Sequence, residues 1–508
     1  MVLATTLIGA LDYLGAPNDY AVGDFNGDGK LDVLLTGASW DFVENQPSDR
    51  GNAIFALMAQ GDGTFSIEQR SDLGSLVTPI ATDVADFNGD GIDDAVFFDF
   101  GLDRTPFSGG PNELVFGTDT GPVSADIPIF SDQSHGGTIG DVDNDGDVDI
   151  FVMNNVSEEF PLPGSGSPGA YILLNDGAGN FTFDQSGLSG DLPDPYFWAF
   201  EFGPYVRFNS LLNSSTWVSA EMGDMNNDGN IDLIVGSHYF NEGFIAFGDG
   251  NGNFDMANAA PLPDTGFGRF IDENGGNVGG LTLALQVADI NGDGVNDLVA
   301  SAAAGPDYTG SYLQILINDG QGNLIDESAT RFLDSTYNNP TGEYIADIAE
   351  TDFNSDGFSD FILNSSFFKD SVTLNQGTRD QHPMVLLNDG TGRFDILKFG
   401  DLGLPSIALV AVDGGFVTFD NTTYGTSDQH YGLSNAYFVE GDYSTGPGGA
   451  NPAALGAPGF NELYYLNNNS DVLAGVTDGS IESGLAHYLS SGIAEGRAGF
   501  APGATVQG

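Results

Sequence analysis

The 508-residue chain predicts an all-β fold, a seven-bladed β-propeller followed by a small α-helical module, on three observations. A nine-residue acidic phrase recurs six times along it. A short apolar stretch of strand composition follows each copy. A second, glycine-rich turn returns later in most of the repeats.

The phrase is most acidic at Asp141–Asp149, D-V-D-N-D-G-D-V-D, where five of nine residues are carboxylates. It recurs at 24–32 (DFNGDGKLD), 86–94 (DFNGDGIDD), 224–232 (DMNNDGNID), 289–297 (DINGDGVND) and 352–360 (DFNSDGFSD). All six copies have Asp at position 1, Asn or Asp at 3, Asp at 5, Gly at 6 and Asp at 9. Their starts lie 55 to 83 residues apart. Repetition at this stringency outweighs a reading as solvated acidic turns.

Crowded carboxylates are destabilising unless a cation neutralises them. Hard oxygens at alternate positions suit Ca²⁺: side chains from positions 1, 3 and 5, the backbone carbonyl of 7 and the carboxylate of 9. The candidate ligands are therefore Asp24, Asn26, Asp28, Lys30 and Asp32; Asp86, Asn88, Asp90, Ile92 and Asp94; and Asp141, Asp143, Asp145, Asp147 and Asp149. The later loops supply Asp224, Asn226, Asp228, Asn230 and Asp232; Asp289, Asn291, Asp293, Val295 and Asp297; and Asp352, Asn354, Asp356, Phe358 and Asp360. About six calcium ions are expected. Gly146 and its counterparts permit the sharp turn that folds the ligands around one point.

An EF-hand shares D-x-[DN]-x-D-G but needs a bidentate Glu at position 12 and flanking helices. Position 12 here is Leu35, Phe97, Val152, Val235, Ala300 and Leu363, none able to ligate a metal. The segments after the loops, such as DVLLTG, DIFVMNN and DLIVGSH, are strands, so each loop belongs to a β-hairpin.

The second signature reads MAQGDGTFSI (58–67), LLNDGAGNFTF (173–183), AFGDGNGNFDM (246–256), LINDGQGNLID (316–326) and LLNDGTGRFDI (386–396), with a looser version at 114–127. Asp-Gly and Gly-Asn clusters between apolar runs mark hairpins. Four antiparallel strands about every sixty residues is the period of a propeller blade.

The phrase D-x-N-x-D-G-x-x-D, an apolar strand and then LLNDGxGxF resemble the FG-GAP/VCBS repeat family over residues 5 to 440. That resemblance implies an integrin-α-like seven-bladed propeller with calcium loops on one face. Six loops leave the blade count open. PSIALVAVDGGFVTFD (405–420) falls where a seventh loop is due but keeps only Asp413 and two glycines, so a metal-free blade is expected there. LSNAYFVEG (433–441) reads as its third strand, and TTLIGALDYL near the start as the outer strand closing the ring. A six-bladed or open array is the alternative.

In a meander, the acidic loops and the glycine-rich turns share one face. The connections of variable length (40–52, 99–112, 155–169, 184–217, 257–281 and 365–382) lie on the other, where binding is expected. The longest, 184–217, carries Tyr196, Trp198 and Trp217 among several aromatics, candidates for a glycan or protein contact. A packed lid over blades three and four is the plainer reading, and the sequence favours it.

Residues 1–441 are thus assigned to the propeller, 442–459 (Gly, Pro and Ala-rich) to a linker, 460–500 to short helices and 501–508 to a tail. The helical stretch is similar to a short module near the ends of secreted bacterial proteins, typified by YLxxNPDV and HYxxxGxxEGR. Ser470 replaces the usual Pro, while His487-Tyr488 and Glu495-Gly496-Arg497 fit.

Twelve Lys and Arg against 73 Asp and Glu leave a net charge of −61, which speaks against nucleic acid or an anionic membrane as partner. Six divalent ions would offset only a small part of it. A salty external medium would screen the remainder. There is no cysteine, hence no disulfide framework, and no apolar run long enough to span a membrane. No basic residue precedes Lys30, so a Sec signal is not expected, and the G-G-x-G-x-D export nonapeptide is absent.

Catalytic residues are not expected. The five histidines form no zinc pattern, no G-x-S-x-G elbow occurs and no acid/base pair stands out among so many carboxylates. The expectation is an extracellular or cell-surface calcium-stabilised protein that binds a glycan or protein, or assembles with copies of itself. A carbohydrate-active enzyme on a propeller, such as a polysaccharide lyase, is the alternative.

Overall fold

The computed structural model describes most of residues 4–440 and Ser491. Outside the description lie 1–3, 12–15, 39, 42–45, 48–50, 62, 103–108, 129–132, 155–168, 191, 193–210, 212–216, 238–242, 265–269, 272–276, 279–280, 305–308, 334–344, 355–356, 366–383, 399–408, 413–414, 421–433 and the rest of 441–508. The expected linker, helical module and tail fall there.

Seven four-stranded antiparallel sheets make up the described chain, with two small ribbons in the connections. Blade 1 runs Ala16–Gly23, Asp32–Ala38, Asn52–Ala59 and Phe65–Leu76. Blade 2 runs Pro79–Ala85, Asp94–Asp99, Glu113–Phe116 and Val123–Ala125. Blades 3 and 4 begin at Ser134–Gly140 and Trp217–Gly223, and blades 5 and 6 at Leu281–Ala288 and Ile345–Thr351. Each of these six is a simple meander.

Blade 7 differs. Its inner strands Leu409–Val412 and Gly415–Asp420 pair antiparallel, from Leu409 opposite Thr418 to Val412 opposite Gly415, and Ser434–Glu440 follows as the third. The fourth is Ala4–Leu11, which pairs antiparallel with the third from Ala4 opposite Glu440 to Leu11 opposite Ser434. The N-terminal strand therefore closes the ring, and seven blades is the count.

The apolar character of the strands follows from this packing. A blade is sandwiched between two neighbours, so both faces of its middle strands are covered. Asp94–Asp99 and Asp149–Asn154 are buried along their whole length. Seven separate apolar clusters result, one at each junction between blades. Phe97 and Val115 of blade 2 meet Leu34 and Ile54 of blade 1; Phe416 and Val439 of blade 7 meet Ile362 and Val385 of blade 6. The first strands of neighbouring blades pack on one another around the axis.

Closure by a remote strand yields a test. Deleting residues 1–11 leaves Ser434–Glu440 as an unpaired edge, an invitation to self-association. The truncated chain is expected to melt at least about 5 °C lower and to elute as oligomers. Unchanged melting and elution would show that blade 7 stands without its fourth strand.

Candidate metal centres

All six acidic phrases occupy the connection between the first and second strands of a blade. Strands, not helices, flank them, as the EF-hand exclusion required. The glycine-rich turns join the third and fourth strands, so both sets lie at the same end of the ring. Position 6 has positive φ throughout: Gly29 at 80°, Gly91 at 84°, Gly146 at 98°, Gly229 at 89°, Gly294 at 84° and Gly357 at 90°. Position 4 is also left-handed, in Gly27, Gly89, Asn144, Asn227 and Gly292. Asn is the side chain that tolerates this region best, which explains the restriction of that position to Gly or Asn in these loops.

The loop backbone is wound around its own acids. In loop 1 the Asp24 carboxylate accepts the N–H of Asp28 at 3.0 Å and of Gly29 at 2.7 Å. Asn26 Oδ1 also accepts from Asp28 N–H, and Asp28 Oδ1 from Lys30 N–H. Loops 2, 4 and 5 repeat all four bonds. The side-chain oxygens of positions 1, 3 and 5 thus gather around the same turn with lone pairs to spare. Asp356 lies outside the described residues; Asp352 still accepts from Gly357 N–H at 3.0 Å.

Position 9 is different in kind. Asp32, Asp94, Asp149, Asp232, Asp297 and Asp360 are buried. One oxygen of Asp94 accepts Phe87 N–H at 2.9 Å, and the other accepts Gly117 N–H at 2.9 Å. Asp149 does the same with Val142 and Asn175, Asp232 with Met225 and Gly248, and Asp297 with Ile290 and Asn318. This carboxylate pins the acidic loop to the glycine-rich turn of its own blade. Sequence spacing offered it only as a ligand.

Position 2 has a role that ligand spacing does not reveal. Phe25, Phe87, Val142, Met225, Ile290 and Phe353 are all apolar and all buried, each in the cluster between its blade and the next. The signal was present in the phrase itself, in an apolar residue amid acids.

The fit to a hard cation is clearest in loop 3. Oxygens of Asp141, Asp143 and Asp149 lie within 4.8 Å of one another. Asp143 Oδ1 is buried and has no hydrogen-bond partner. An oriented anionic oxygen left bare inside a polar loop is costly unless a cation meets it. All donors present are oxygens, the set Ca²⁺ takes. Loop 1 holds a competitor, since Lys30 Nζ sits 2.5 Å from Asp28 Oδ2.

A further set of acids surrounds the axis. Asp19, Asp83, Glu221, Asp347 and Glu350 all belong to first strands. Burial pushes Asp19 and Asp83 up to about 7, and burial with the nearby Asp83 and Glu350 carboxylates pushes Glu221 well up. Tyr20 Oη donates to Asp347 at 3.1 Å, and Asn364 Nδ2 donates to Asp347, Tyr20 and the Leu409 carbonyl. Blade 1 is thereby bonded to blade 6 across the short inner strand of blade 7.

Of the candidate ligand contacts, Tyr196 and Trp198 lie outside the described residues. Trp217 opens the first strand of blade 4, its side chain likewise outside the description. Leu188, Leu192 and Leu211, from the same connection, are buried in the cluster between blades 3 and 4.

Two tests follow. Without metal, burial pushes Asp32, Asp94 and Asp149 up to about 7, and Asp232 and Asp297 up to about 6. A carboxyl whose folded pKa is raised stabilises the fold while protonated, and loses that contribution as pH rises through the folded value. Metal-free protein is therefore expected to melt higher at pH 5 than at pH 8. Saturating Ca²⁺ reverses the order, because it needs the ionised carboxylates. Melting scans at four pH values with and without calcium decide it; a metal-free melting temperature that rises with pH contradicts the assignment. Second, Asp232→Ala orphans two buried N–H groups and is expected to cost about 2–4 kcal/mol even without metal. Asp228→Ala, at exposed position 5, should leave metal-free stability nearly unchanged in the same denaturant titration.

The chain was compared with known families, curated proteins and solved structures. The FG-GAP-like repeat family model matches residues 24–97. Among solved structures, the chain is similar to an Agrocybe aegerita lectin described for specific recognition of non-reducing terminal N-acetylglucosamine. Identity is 14% and the TM-score 0.40, covering 76% of this chain and 80% of that one. It is also similar to the extracellular domain of a B. thetaiotaomicron protein described as a hybrid two-component system, at 11% identity and TM-score 0.37. There the match covers 84% of this chain but 39% of the other, so this chain spans well under half of that extracellular domain's length. No curated protein matches. The matched segment runs from the first acidic loop through the second loop into the strand after it. Residues 24–97 thus match an FG-GAP-like repeat and lie within a seven-bladed β-propeller.

Proposed function

We propose that this protein is an extracellular, calcium-stabilised scaffold that binds a glycan or protein, or copies of itself, through the connections opposite the acidic loops. The observation that carries the reading is the convergence of the Asp141, Asp143 and Asp149 oxygens in loop 3, with Asp143 Oδ1 buried and bare, in a phrase that recurs at five further places along the chain. Positions 1, 3, 5 and 9 and the carbonyl of position 7 would hold the ion, which supplies the positive charge that the loops otherwise lack. The ion would act as cement, because the folded loops bind it and the unfolded chain does so poorly. Such loops fill where calcium is about millimolar, outside the cell.

The opposite end then carries recognition. Its connections vary in length on a rigid frame, the usual arrangement for binding. Among the described residues no helix is long and apolar enough to cross a membrane. The negative balance disfavours polyanionic partners and suits neutral glycans or basic protein surfaces.

Chelator is expected to lower the melting temperature by more than about 10 °C relative to millimolar Ca²⁺, and equal melting would refute calcium as cement. Electron microscopy and size exclusion under the same two conditions separate the modes of action. Polymers seen only with Ca²⁺ identify an assembly protein. A monomer in both conditions directs glycan-array screening to the opposite end.

A further inference from the structure

The acidic loops are bonded to one another around the ring. At every junction from blade 1 to blade 6, the carbonyl of loop position 2 accepts a hydrogen bond from the glycine-rich turn of the next blade. Two junctions use backbone donors: Thr118 N–H to Phe25 at 3.3 Å, and Gly252 N–H to Val142 at 2.9 Å. The other three use an asparagine side chain. Asn175 Nδ2 donates to Phe87 at 2.8 Å, Asn318 to Met225 at 2.7 Å and Asn388 to Ile290 at 2.8 Å.

Each asparagine also holds its own blade's loop. Asn175 Nδ2 donates to the Val148 carbonyl, Asn318 to Asn296 and Asn388 to Ser359, all at loop position 8. Their backbone N–H groups donate to the position-9 carboxylates Asp149, Asp297 and Asp360 at 2.7 to 2.8 Å. One side chain therefore ties the loop behind it to the loop in its own blade. Where the turn has Gly117 or Gly248 instead, a Cβ would strike the Asp93 or Ile231 carbonyl at 2.3 or 2.0 Å, so no side chain fits.

We propose that Asn175, Asn318 and Asn388 are positioning residues that couple adjacent calcium loops, so that the loops fill cooperatively and not as independent sites. The inference rests on the calcium reading above and adds a property to it. Position 2 lies between ligands 1 and 3. Its side chain is fixed in the junction core, its N–H on the position-9 carboxylate and its carbonyl on the next blade's asparagine. A cation that draws the position-9 carboxylate inward shifts the acceptor on which that blade's asparagine hangs. The shift is passed through the amide to position 2 of the preceding loop. The coupling is reciprocal, since whatever one site does to its neighbour's affinity the neighbour does in return. Loops 4, 5 and 6 are joined by two consecutive asparagines and form the tightest run.

The test is calcium titration of the chelator-treated full chain by calorimetry, with bound ions counted by native mass spectrometry. The wild-type isotherm is expected to show a Hill coefficient above about 1.5, and Asn318→Ala/Asn388→Ala to raise half-saturation by about fivefold while the coefficient falls toward 1. Asn323→Ala is the control, because its amide bonds within its own turn to Asp319, and it should titrate as wild type. Identical isotherms for wild type and double variant overturn the coupling while leaving calcium binding intact. No heat and no bound ion in wild type overturn the calcium reading and the coupling together. Should the double variant fail to fold, Asp293→Ala in loop 5 replaces it. Counted at subsaturating Ca²⁺, coupled loops lose more than one ion; loss of one ion only overturns the proposal.

Discussion

The buried aspartate at the end of each acidic loop is the constraint on which the rest of this propeller depends. With both oxygens it accepts backbone N–H groups, one from its own loop and one from the turn that joins the outer strands. A carboxylate in that position does two jobs with one charge. It satisfies backbone donors that would otherwise be stranded at the rim of a packed sheet, and it fixes the spacing between two hairpins of one blade. Burial without a counter-charge is unfavourable, which is why these carboxyls hold protons so far up the pH scale when no cation is near. The cost of burying that charge is thus built into the backbone accounting of the blade, beneath the exposed acids of the same loop.

Apolar packing and polar wiring divide the molecule between them. Seven junction clusters hold neighbouring blades face to face. Polar bonds link the blades at the loop end and near the axis. At the loop end, position 2 plugs the junction and hands its carbonyl to the next blade. Near the axis, Tyr20, Asp347 and Asn364 bond blade 1 to blade 6 over the short inner strand of blade 7. A blade without the acidic phrase is thereby bracketed by two that have it.

Much of this was legible in the chain. The period of the acidic phrase, its glycine at position 6 and the strands after it are local features, and local features dictate hairpins directly. The ring count was legible because 405–420 and the N-terminal strand had the right composition in the right places. What escaped was everything that depends on the neighbour. The apolar residue at position 2 looked incidental because its pocket is supplied by the next blade. Asn175, Asn318 and Asn388 read as turn residues, which they are, while the carbonyls they reach lie up to 98 residues away. The axial acids carry no motif, because they come together from different blades. Position 9 reads from spacing as a ligand, since spacing reveals oxygen atoms but not the backbone groups that claim them.

The closing pair of strands has a consequence for how the molecule is made. Ala4 meets Glu440, so the contact that seals the ring joins residues from opposite ends of the propeller. On a ribosome the first strand must wait, unpaired, while six blades are synthesised behind it, and loop closure of that length is slow. Through that interval the first strand has no sheet, and the last blade, once made, has an open edge until that strand docks. A strand waiting in one chain and an edge waiting in another are the components of a domain swap. Crowding on polysomes therefore threatens this fold at its seam before any other place.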